Sequence, residues 1–579
     1  MKKLINDVLH VVPDSLKGFA RLHPGLAMIE GHSTVVRADL DAFRSSGKVA
    51  IVSGGGAGHE PAHAGYVGRG MLTAAVSGDV FASPAIDAVH AALRAVGTPA
   101  GILMIVKNYT GDRINFGVAA EMARAEGISV ETVIVDDDAA LGTAEGTAGR
   151  RGIAGTVLIH KIAGAAAEAG LGLAEVKARS QAAAGALASM GIALSPCTVP
   201  AAGRPNFELG EDEIELGLGI HGEPGVERRA IGTSAALVDV LLDRLIADRG
   251  IAAGDEVALM VNNLGTTPVM ELGIVAGDAL DGLRRRGVVV SRAYCGTFLT
   301  AIDMAGVSLS LLRLDYSLRQ ALDAPTEAPS WPAPASGSPD LASAPVCLRA
   351  EDTPARDAAN CCAPPAPAAF LSAVRAGCEA LLRTEAELTE MDRRVGDGDI
   401  GRSLAQGATA IMQTLERAPD LPVERLLSEL SRVIRSSVGG TSGPLYAAFA
   451  LSAANALRDL DAAAPTLLAE GFAAGVSSVS RLGGAQEGDR TMLDALAPAL
   501  REIRAHDRVG PQLEAAAAAA RRGAERTAQM MPKLGRSSYL GSRALGCPDP
   551  GAEAVAIWLT AASISVVCDA TGYAEPPAD

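Results

Sequence analysis

One histidine stands in the middle of a turn that is otherwise mostly glycine: His221, in GLGIHGEPG from Gly217 to Gly225. Glycine on both sides lets the chain bend sharply and lets a small ligand touch the main chain. A neutral imidazole nitrogen exposed there can add to a carbonyl carbon but has no comparable reaction with an alcohol, so the position would select aldehydes and ketones over polyols. A solvated loop residue is the plainer reading of a lone His in such a turn, and other stretches must decide. SGGGAGHEPAHAGYVG, Ser53 to Gly68, follows an apolar run and matches a dinucleotide-binding fingerprint only in part. Its spacing is GxGxG rather than GxGxxG, and Gly58 runs into His59, Glu60 and Pro61, where a dinucleotide fold has small residues opening a helix. His59 and Glu60 in a glycine pocket suit hydrogen bonding to a small polar molecule. KNYTGDRINFG, Lys107 to Gly117, places Lys107 and Asp112 at the carboxyl end of an apolar run, GILMIV. Open α/β sheets bind ligands there, and an Asp can serve as general base for a hydroxyl or simply cap a helix. Asp136, Asp137 and Asp138 are three consecutive carboxylates that point different ways, which reads as a solvated strand end rather than a metal cluster.

A second set of candidates lies late in the chain. In MDRRVGDGDIG, Met391 to Gly401, Asp392 ends one predicted helix while Asp397 and Asp399 sit in a glycine-rich turn before the next. Three carboxylates can converge there, because Gly396 and Gly398 remove the steric cost of the turn. Oxygen ligands without His or Cys suit Mg²⁺ that shares its remaining positions with phosphates, against the plainer reading of an acidic turn. Three further loops support the phosphate reading. VGGTSGP, Val438 to Pro444, opens a helix with Pro in its first turn, giving free N–H groups and a positive dipole end. GGAQEGDRTMLDAL, Gly483 to Leu496, precedes another helix start, and GRSSYLGSRALGCPDPGA, Gly535 to Ala552, is a polar loop able to close over a nucleotide. No GxxxxGK[ST] sequence occurs, so a P-loop nucleotide fold is excluded.

The elements that must position these groups are of two kinds. VAIVS (49–53), GILMIV (101–106), VETVIVD (130–136), GTVLIH (155–160) and VALMVN (257–262) read as buried strands, separated by helical patterns such as SPAIDAVHAALRAVG. Residues 1–323 are therefore expected to be an α/β region of two lobes with a boundary near 185–200. From 324 to 368 the chain holds 10 of its 31 prolines and no hydrophobic period, the composition of a linker. Residues 369–579, rich in Ala, Leu, Arg and Glu, should form an all-helical bundle whose loops carry the glycines. The net charge of −16 argues against nucleic acid or an anionic membrane surface as a partner. Eight cysteines without short-spaced clusters read as free thiols of a reducing cytosol. MKKLINDVLHVV is interrupted by polar residues and is not read as a signal peptide, and AVAIWLTAASISVVC is too short and too rich in Ser, Thr and Ala to be read as a membrane span. A soluble cytoplasmic protein is the expectation.

Taken together, SGGGAGHEPAHAGYVG, KNYTGD, GLGIHGEPG, GDGDIG, GGTSGPLY and GDRTMLDAL resemble the ATP-dependent dihydroxyacetone kinases in which a substrate-binding K domain is fused to a nucleotide-binding L domain. The resemblance covers nearly everything but the linker. It implies that His221 binds the ketone covalently as a hemiaminal, while Lys107, Asp112, His59 and the turn of Gly56, Ala57 and Gly58 hold its hydroxyls. Asp112 would take the proton of the attacking hydroxyl, with His59 assisting. It further implies that Asp392, Asp397 and Asp399 hold two Mg²⁺ ions, and that ATP meets Gly401, Arg402, Ser403, Leu404, Thr441, Ser442, Gly484, Thr491, Met492, Asp549, Pro550 and Gly551. The implied fold is two α/β lobes followed by a barrel-like bundle of eight antiparallel helices, assembled as a homodimer. Ala57 stands where the family often has Ser, Ile400 replaces a small or polar residue, and Arg490 replaces a Lys; none deletes a metal ligand. The expected activity is a Mg-ATP-dependent dihydroxyacetone (glycerone) kinase. Erythrulose kinase, a triokinase that also forms cyclic FMN from FAD, and a ketone-sensing regulator stay open, the last opposed by the intact acidic set.

Overall fold

The computed structural model describes residues 2–571 apart from 142–148, 206, 224, 333–363, 459 and 461–465. The chain divides into two compact units, Met1–Cys347 and Leu348–Asp579. The first begins with α1 (Val11–Leu22), β1 (Leu26–Met28), β2 (Thr34–Arg37) and α2 (Leu40–Ser45). It then alternates through β3 (Ala50–Ala57), β4 (Ala74–Val80), α3 (Ile86–Val96), β5 (Ile102–Lys107), α4 (Thr110–Ala125) and β6 (Val130–Val135). These strands form one sheet in the order β1-β2-β4-β3-β5-β6, parallel from β4 to β6. Every residue of β3 and β5 is buried, as central strands covered by helices on both faces require.

Two helices follow, α5 (Thr156–Glu168) and α6 (Leu173–Gly185), and the chain then enters a second sheet. Its elements are β7 (Leu187–Ala193), β8 (Glu213–Leu216), β9 (Glu227–Ala230), α7 (Ser234–Arg249), β10 (Glu256–Asn263), α8 (Val269–Arg285), β11 (Val289–Gly296) and β12 (Gly306–Arg313), with the order β11-β10-β12-β7-β8-β9. The helix α9 (Tyr316–Asp323) closes the alternation and packs on α5.

Three expectations for this unit are corrected. Residues 155–160 are not a strand but the start of α5. An apolar run has no period to reveal its type, and this one continues without a break through twelve buried residues, Thr156 to Ala167, too many for a strand. Nor are the three acids a solvated strand end, for only Asp136 is exposed. Asp137 is buried and accepts the N–H groups of Ile153 (2.7 Å) and Gly155 (3.0 Å), so it caps the chain where α5 begins. Asp138, also buried, accepts from Arg151 Nε at 2.7 Å, and Arg151 in turn donates to the Gly217 carbonyl at 2.7 Å, tying the His221 loop to the end of β6. Third, residues 324–332 pack on the first unit: Ala328 and Trp331 join its core, and Ser330 N donates to Gly65 O at 2.9 Å. Prolines there end helices without preventing burial. Most of the expected linker, 333–363, lies outside the described residues.

The second unit contains α10 (Ala368–Arg383), α11 (Glu385–Val395), α12 (Ile400–Arg417), α13 (Val423–Ser437), α14 (Ser442–Leu457), α15 (Leu467–Gly483), α16 (Leu493–Ala505), α17 (Val509–Thr527) and α18 (Pro550–Thr571). Eight of them close a ring: α10 packs on α12, each helix from α12 to α18 packs on the next, and α18 returns to α10. The ninth, α11, is a short addition that carries Asp392. Small residues bring the helices close, as at Ala495, Ala499, Ala516, Ala520, Ala524, Ala552 and Ala556, all nearly inaccessible. The apolar segment judged too short for a membrane span belongs to a 22-residue helix, α18, whose composition does pass that test over Pro550–Cys568. Its packing against α10, α16 and α17 makes it a core helix of this unit.

Asp137 gives the first prediction. Replacing it with Ala strands two buried N–H groups and should cost the first unit about 2–3 kcal/mol. Because Trp331 lies in the first unit and Trp558 in the second, urea unfolding followed by Trp331 fluorescence in a Trp558→Phe background measures it; an unchanged midpoint would refute the capping role.

Candidate active site

Parallel pairing puts the carboxyl ends of β3 and β5 on one edge of the first sheet, where β3 ends in Gly54, Gly55, Gly56 and Ala57 and β5 ends in Lys107. Asp112 reaches the same edge from the first turn of α4. A Cβ on Gly55 would stand 3.1 Å from Lys107 Nζ and 3.3 Å from Asp112 Oδ2. One on Gly56 would meet the Ala82 nitrogen at 2.7 Å, and one on Gly58, at φ +96°, the Phe81 ring at 2.8 Å. The main chain therefore reaches the charged pair with no side chain between them.

Lys107 and His59 are inaccessible and Asp112 is 3 % exposed. Lys107 Nζ, Asp112 Oδ1, His59 Nε2 and the Tyr109 hydroxyl are all buried without a hydrogen-bond partner among the described residues. Buried polar atoms are nearly always paired, so four such atoms around one turn mark a place built to pair with a guest. Burial pulls the Lys107 ammonium below the ordinary lysine range, opposed by Asp112, Glu223 and Asp137. Burial, then the charge of Lys107, pushes His59 far below the usual histidine range, so it is neutral. Its Nδ1 lies 2.8 Å from the Thr300 carbonyl, which only an N–H can satisfy, and Nε2 therefore carries the lone pair.

His221 joins this group through its ring, which packs edge-on against Tyr109 (4.7 Å between centroids), His59 (4.9 Å) and Phe81 (5.1 Å). Its Nδ1 lies 2.8 Å from Glu223 Oε1, and its backbone N donates to Oε2 of the same carboxylate at 3.0 Å. Burial would raise the Glu223 carboxyl, but hydrogen bonding to His221 holds it at about 2. An ionised carboxylate at Nδ1 fixes the proton there and leaves the nucleophilic lone pair on Nε2. Glu223 was missed in the sequence although the signal was present: an acid two residues after a histidine in a tight turn can fold back on it.

In the second unit, one carboxylate oxygen each from Asp392, Asp397 and Asp399 lie within 4.8 Å of one another. Asp392, 8 % exposed, accepts the amides of Gly398 (2.8 Å) and Asp399 (2.9 Å), folding the turn onto the end of α11. A Cβ on Gly396 would collide with that carboxylate. Converging oxygens with no nitrogen or sulfur donor fit Mg²⁺. Gly401 to Leu404 form the first turn of α12, and Thr441 and Ser442 start α14. A Cβ on Gly439 would lie 3.3 Å from Ser403 Oγ and one on Gly440 3.6 Å from Asp399 Oδ2, so these two helix starts adjoin beside the acids. Thr491 and Met492 precede α16, and Asp549, Pro550 and Gly551 open α18, where a Cβ on Gly551 would lie 3.6 Å from Met492 Cβ. Gly484, in the left-handed conformation at φ +65°, ends α15. Four helix N-termini thus pair up in the one unit, the positive dipole ends that phosphates favour.

Residues 17–330 match the model of the Dak1 domain, and residues 394–563 that of the DAK2 domain. The chain belongs to the dihydroxyacetone kinase family. It is 43 % identical to the triokinase/FMN cyclase of Homo sapiens over 97 % of this chain and 98 % of that one. The dihydroxyacetone kinase of Citrobacter freundii is 39 % identical over 95 % of this chain and 97 % of its own. The crystal structure of that C. freundii kinase with AMP-PNP and Mg²⁺ aligns with a TM-score of 0.63 at 38 % identity, covering 97 % of this chain and 99 % of that one. The two-sheet unit followed by the helical ring is the K and L architecture of the family.

Asp549 gives a pH prediction for the L unit. Burial pushes its carboxyl up to about 6, against the pull of the Ala552 amide and Arg490 and with the charges of Asp494 and Asp392 adding to the rise. The folded-state value lies above the unfolded one, so the penalty for a buried charge is absent below about pH 4 and complete above about pH 6. Metal-free wild type should therefore lose about 3 kcal/mol across that window relative to Asp549→Asn. Thermal melts of the L unit between pH 4 and 7, read from Trp558 fluorescence, test this; parallel profiles for the two proteins would contradict it.

Proposed function

We propose that the protein transfers the γ-phosphate of ATP to a terminal hydroxyl of dihydroxyacetone or a related short-chain ketose, which it holds as a hemiaminal on His221. The observation that carries this reading is the cradle itself. A histidine whose Nδ1 is held by Glu223 packs against the neutral His59 ring, and an ammonium and a carboxylate meet the bare glycine backbone leading to His59; imidazole, ammonium and carboxylate each keep unmet hydrogen-bonding capacity. A small molecule with one carbonyl flanked by hydroxyls matches that set group for group.

The steps follow from the residues. Nε2 of His221 attacks the carbonyl carbon; the π electrons move onto the oxygen, which the Lys107 ammonium stabilises, and the charge left on the imidazole is matched by Glu223. Asp112, with an unpaired buried oxygen, takes the proton of the hydroxyl that attacks phosphorus. The His59 lone pair accepts a hydrogen bond from a substrate hydroxyl. Mg²⁺ held by Asp392, Asp397 and Asp399, in the two-ion arrangement three carboxylates can share, would supply neutralisation of the phosphate oxygens. Amides at the starts of α12, α14, α16 and α18 orient the triphosphate.

ADP release measured across dihydroxyacetone, glyceraldehyde, both erythrulose enantiomers and glycerol tests the reading, and equal turnover of glycerol would overturn it. Two variants separate the units. His221→Ala should weaken ketose binding by roughly a hundredfold or more, since so small a ligand has few other anchors, while Mg-nucleotide affinity stays unchanged. Asp397→Asn should cut turnover at least about a hundredfold yet leave the adduct on His221 detectable by mass after reductive trapping. Loss of the adduct in Asp397→Asn would refute the division of labour.

A further inference from the structure

A second group of buried polar side chains lies next to the cradle and has no role in the steps above. Ser53 pairs in register with Ile105, and Lys107 follows two residues later, so both side chains point to the same face of the first sheet. From α5, His160 places Nε2 3.1 Å from Ser53 Oγ. The Ser53 hydroxyl donates its own proton to the Ile105 carbonyl at 2.7 Å, so it can only accept from His160. His160 is thereby held as the tautomer with its proton on Nε2 and its lone pair on Nδ1. The His63 ring packs edge-on against His160 at 5.1 Å. Tyr66 borders them at 6.1 Å, with its hydroxyl committed to the Phe298 carbonyl at 2.7 Å.

Ser53, His160, Tyr66 and Lys107 are inaccessible and His63 is 3 % exposed. Yet His160 Nδ1, both nitrogens of His63 and Lys107 Nζ have no hydrogen-bond partner among the described residues. Burial and then the charge of Lys107 keep both imidazoles neutral, with His160 pulled down to about 3. Each ring therefore offers an acceptor, and Lys107 has three N–H groups to place. Stranding four buried nitrogens in one region is too costly to leave unanswered, and the region has the polar partners that a buried water needs.

We propose that His160 and His63 are positioning residues for Lys107: through buried water they accept hydrogen bonds from its ammonium and aim the remaining N–H at the substrate oxygen. Ser53 acts one step further back by fixing the His160 tautomer. The aiming rests on the proposed role of Lys107 toward the ketose; the water contacts and the hold on the ammonium do not.

Two measurements on the full-length protein test it. A high-resolution crystal structure of the wild type should show ordered water within hydrogen-bond distance of Lys107 Nζ and of His160 Nδ1 or a His63 nitrogen, and a dry region there overturns the proposal. The titration of Lys107 can be followed by NMR of ¹³C-lysine-labelled protein, with its signal assigned from Lys107→Met. Other groups act on this ammonium: Asp112 from α4, Asp137 after β6, Glu223 beside His221, and His59. All stay in place in the variants. Removing acceptors from a charged donor lowers its pKa, so His160→Leu and His63→Leu should each move the Lys107 titration down by roughly one pH unit. His160→Gln, which keeps an acceptor, should recover most of the shift, and Ser53→Ala should reproduce part of it. Packing roles alone would lower Tm in all four and leave the titration in place, and that result overturns the proposal. Should turnover of ketoses fail altogether while the water and the shift are found, the kinase reading falls and the positioning of Lys107 stands.

Discussion

A Cβ on Gly55 would lie 3.1 Å from the Lys107 ammonium and 3.3 Å from an Asp112 oxygen, and on that absence the first unit's chemistry depends. The strands that deliver Ser53 and Lys107 to one edge are parallel and buried on both faces, and Asp112 is buried there on the first turn of α4, so none of them has room to retreat from a side chain. The only freedom left is to omit the side chain, and β3 does so for three consecutive residues. The acidic turn of the second unit obeys the same rule. Asp392 collects the amides of Gly398 and Asp399, and Gly396 must be bare because the carboxylate occupies the space its Cβ would need.

The charges around the cradle follow from burial and from one cation. Desolvation, and after it the field of the inaccessible Lys107 ammonium, keeps His59, His63 and His160 neutral. A neutral ring keeps a lone pair that a hydroxyl or a lysine N–H can use, which an imidazolium lacks. His221 is kept apart from this rule by Glu223, whose carboxylate takes Nδ1 and directs the lone pair to the other nitrogen. His59 and His221 thus carry their lone pairs on Nε2 and His160 on Nδ1, because their partners differ.

Much of this was legible in the sequence. Glycine runs after strands, Lys107 and Asp112 at a strand end, and three acids around two glycines each announced a geometry that the structure contains, because backbone constraints are local and glycine reports them directly. What was hidden depended on distant partners. The run at 155–160 is buried on every side, and periodicity has nothing to say about a helix without an exposed face. Asp137 and Asp138 read as hydrated because their partners, the Ile153 amide and Arg151, lie 16 and 13 residues further along the chain, and no spacing rule connects them. His63 lies inside the glycine motif after β3, but a buried ring and a surface ring look alike in a sequence, and His160 lies in a run whose composition suits a strand as well as a helix. Residues 324–332 read as linker on their prolines, whereas Trp331 has an apolar surface to cover.

The two units differ in how they must hold their ligands. A triphosphate with magnesium brings several charges, and carboxylates and helix N-termini answer it with interactions that are strong one by one. A triose brings none. With about half a dozen non-hydrogen atoms, and a ceiling near 1.5 kcal/mol per atom that is reached only by the best small ligands, contacts alone leave little to spare for both affinity and selectivity. Hydrogen bonds to Lys107, Asp112 and His59 would also serve glycerol nearly as well, since it presents hydroxyls at similar spacing. The proposed bond from His221 to the carbonyl carbon would resolve both difficulties, because it adds an anchor that does not scale with ligand size and that an alcohol cannot form. The cradle's unpaired atoms would then need only to orient the captured ketose, and their modest strength would be no handicap.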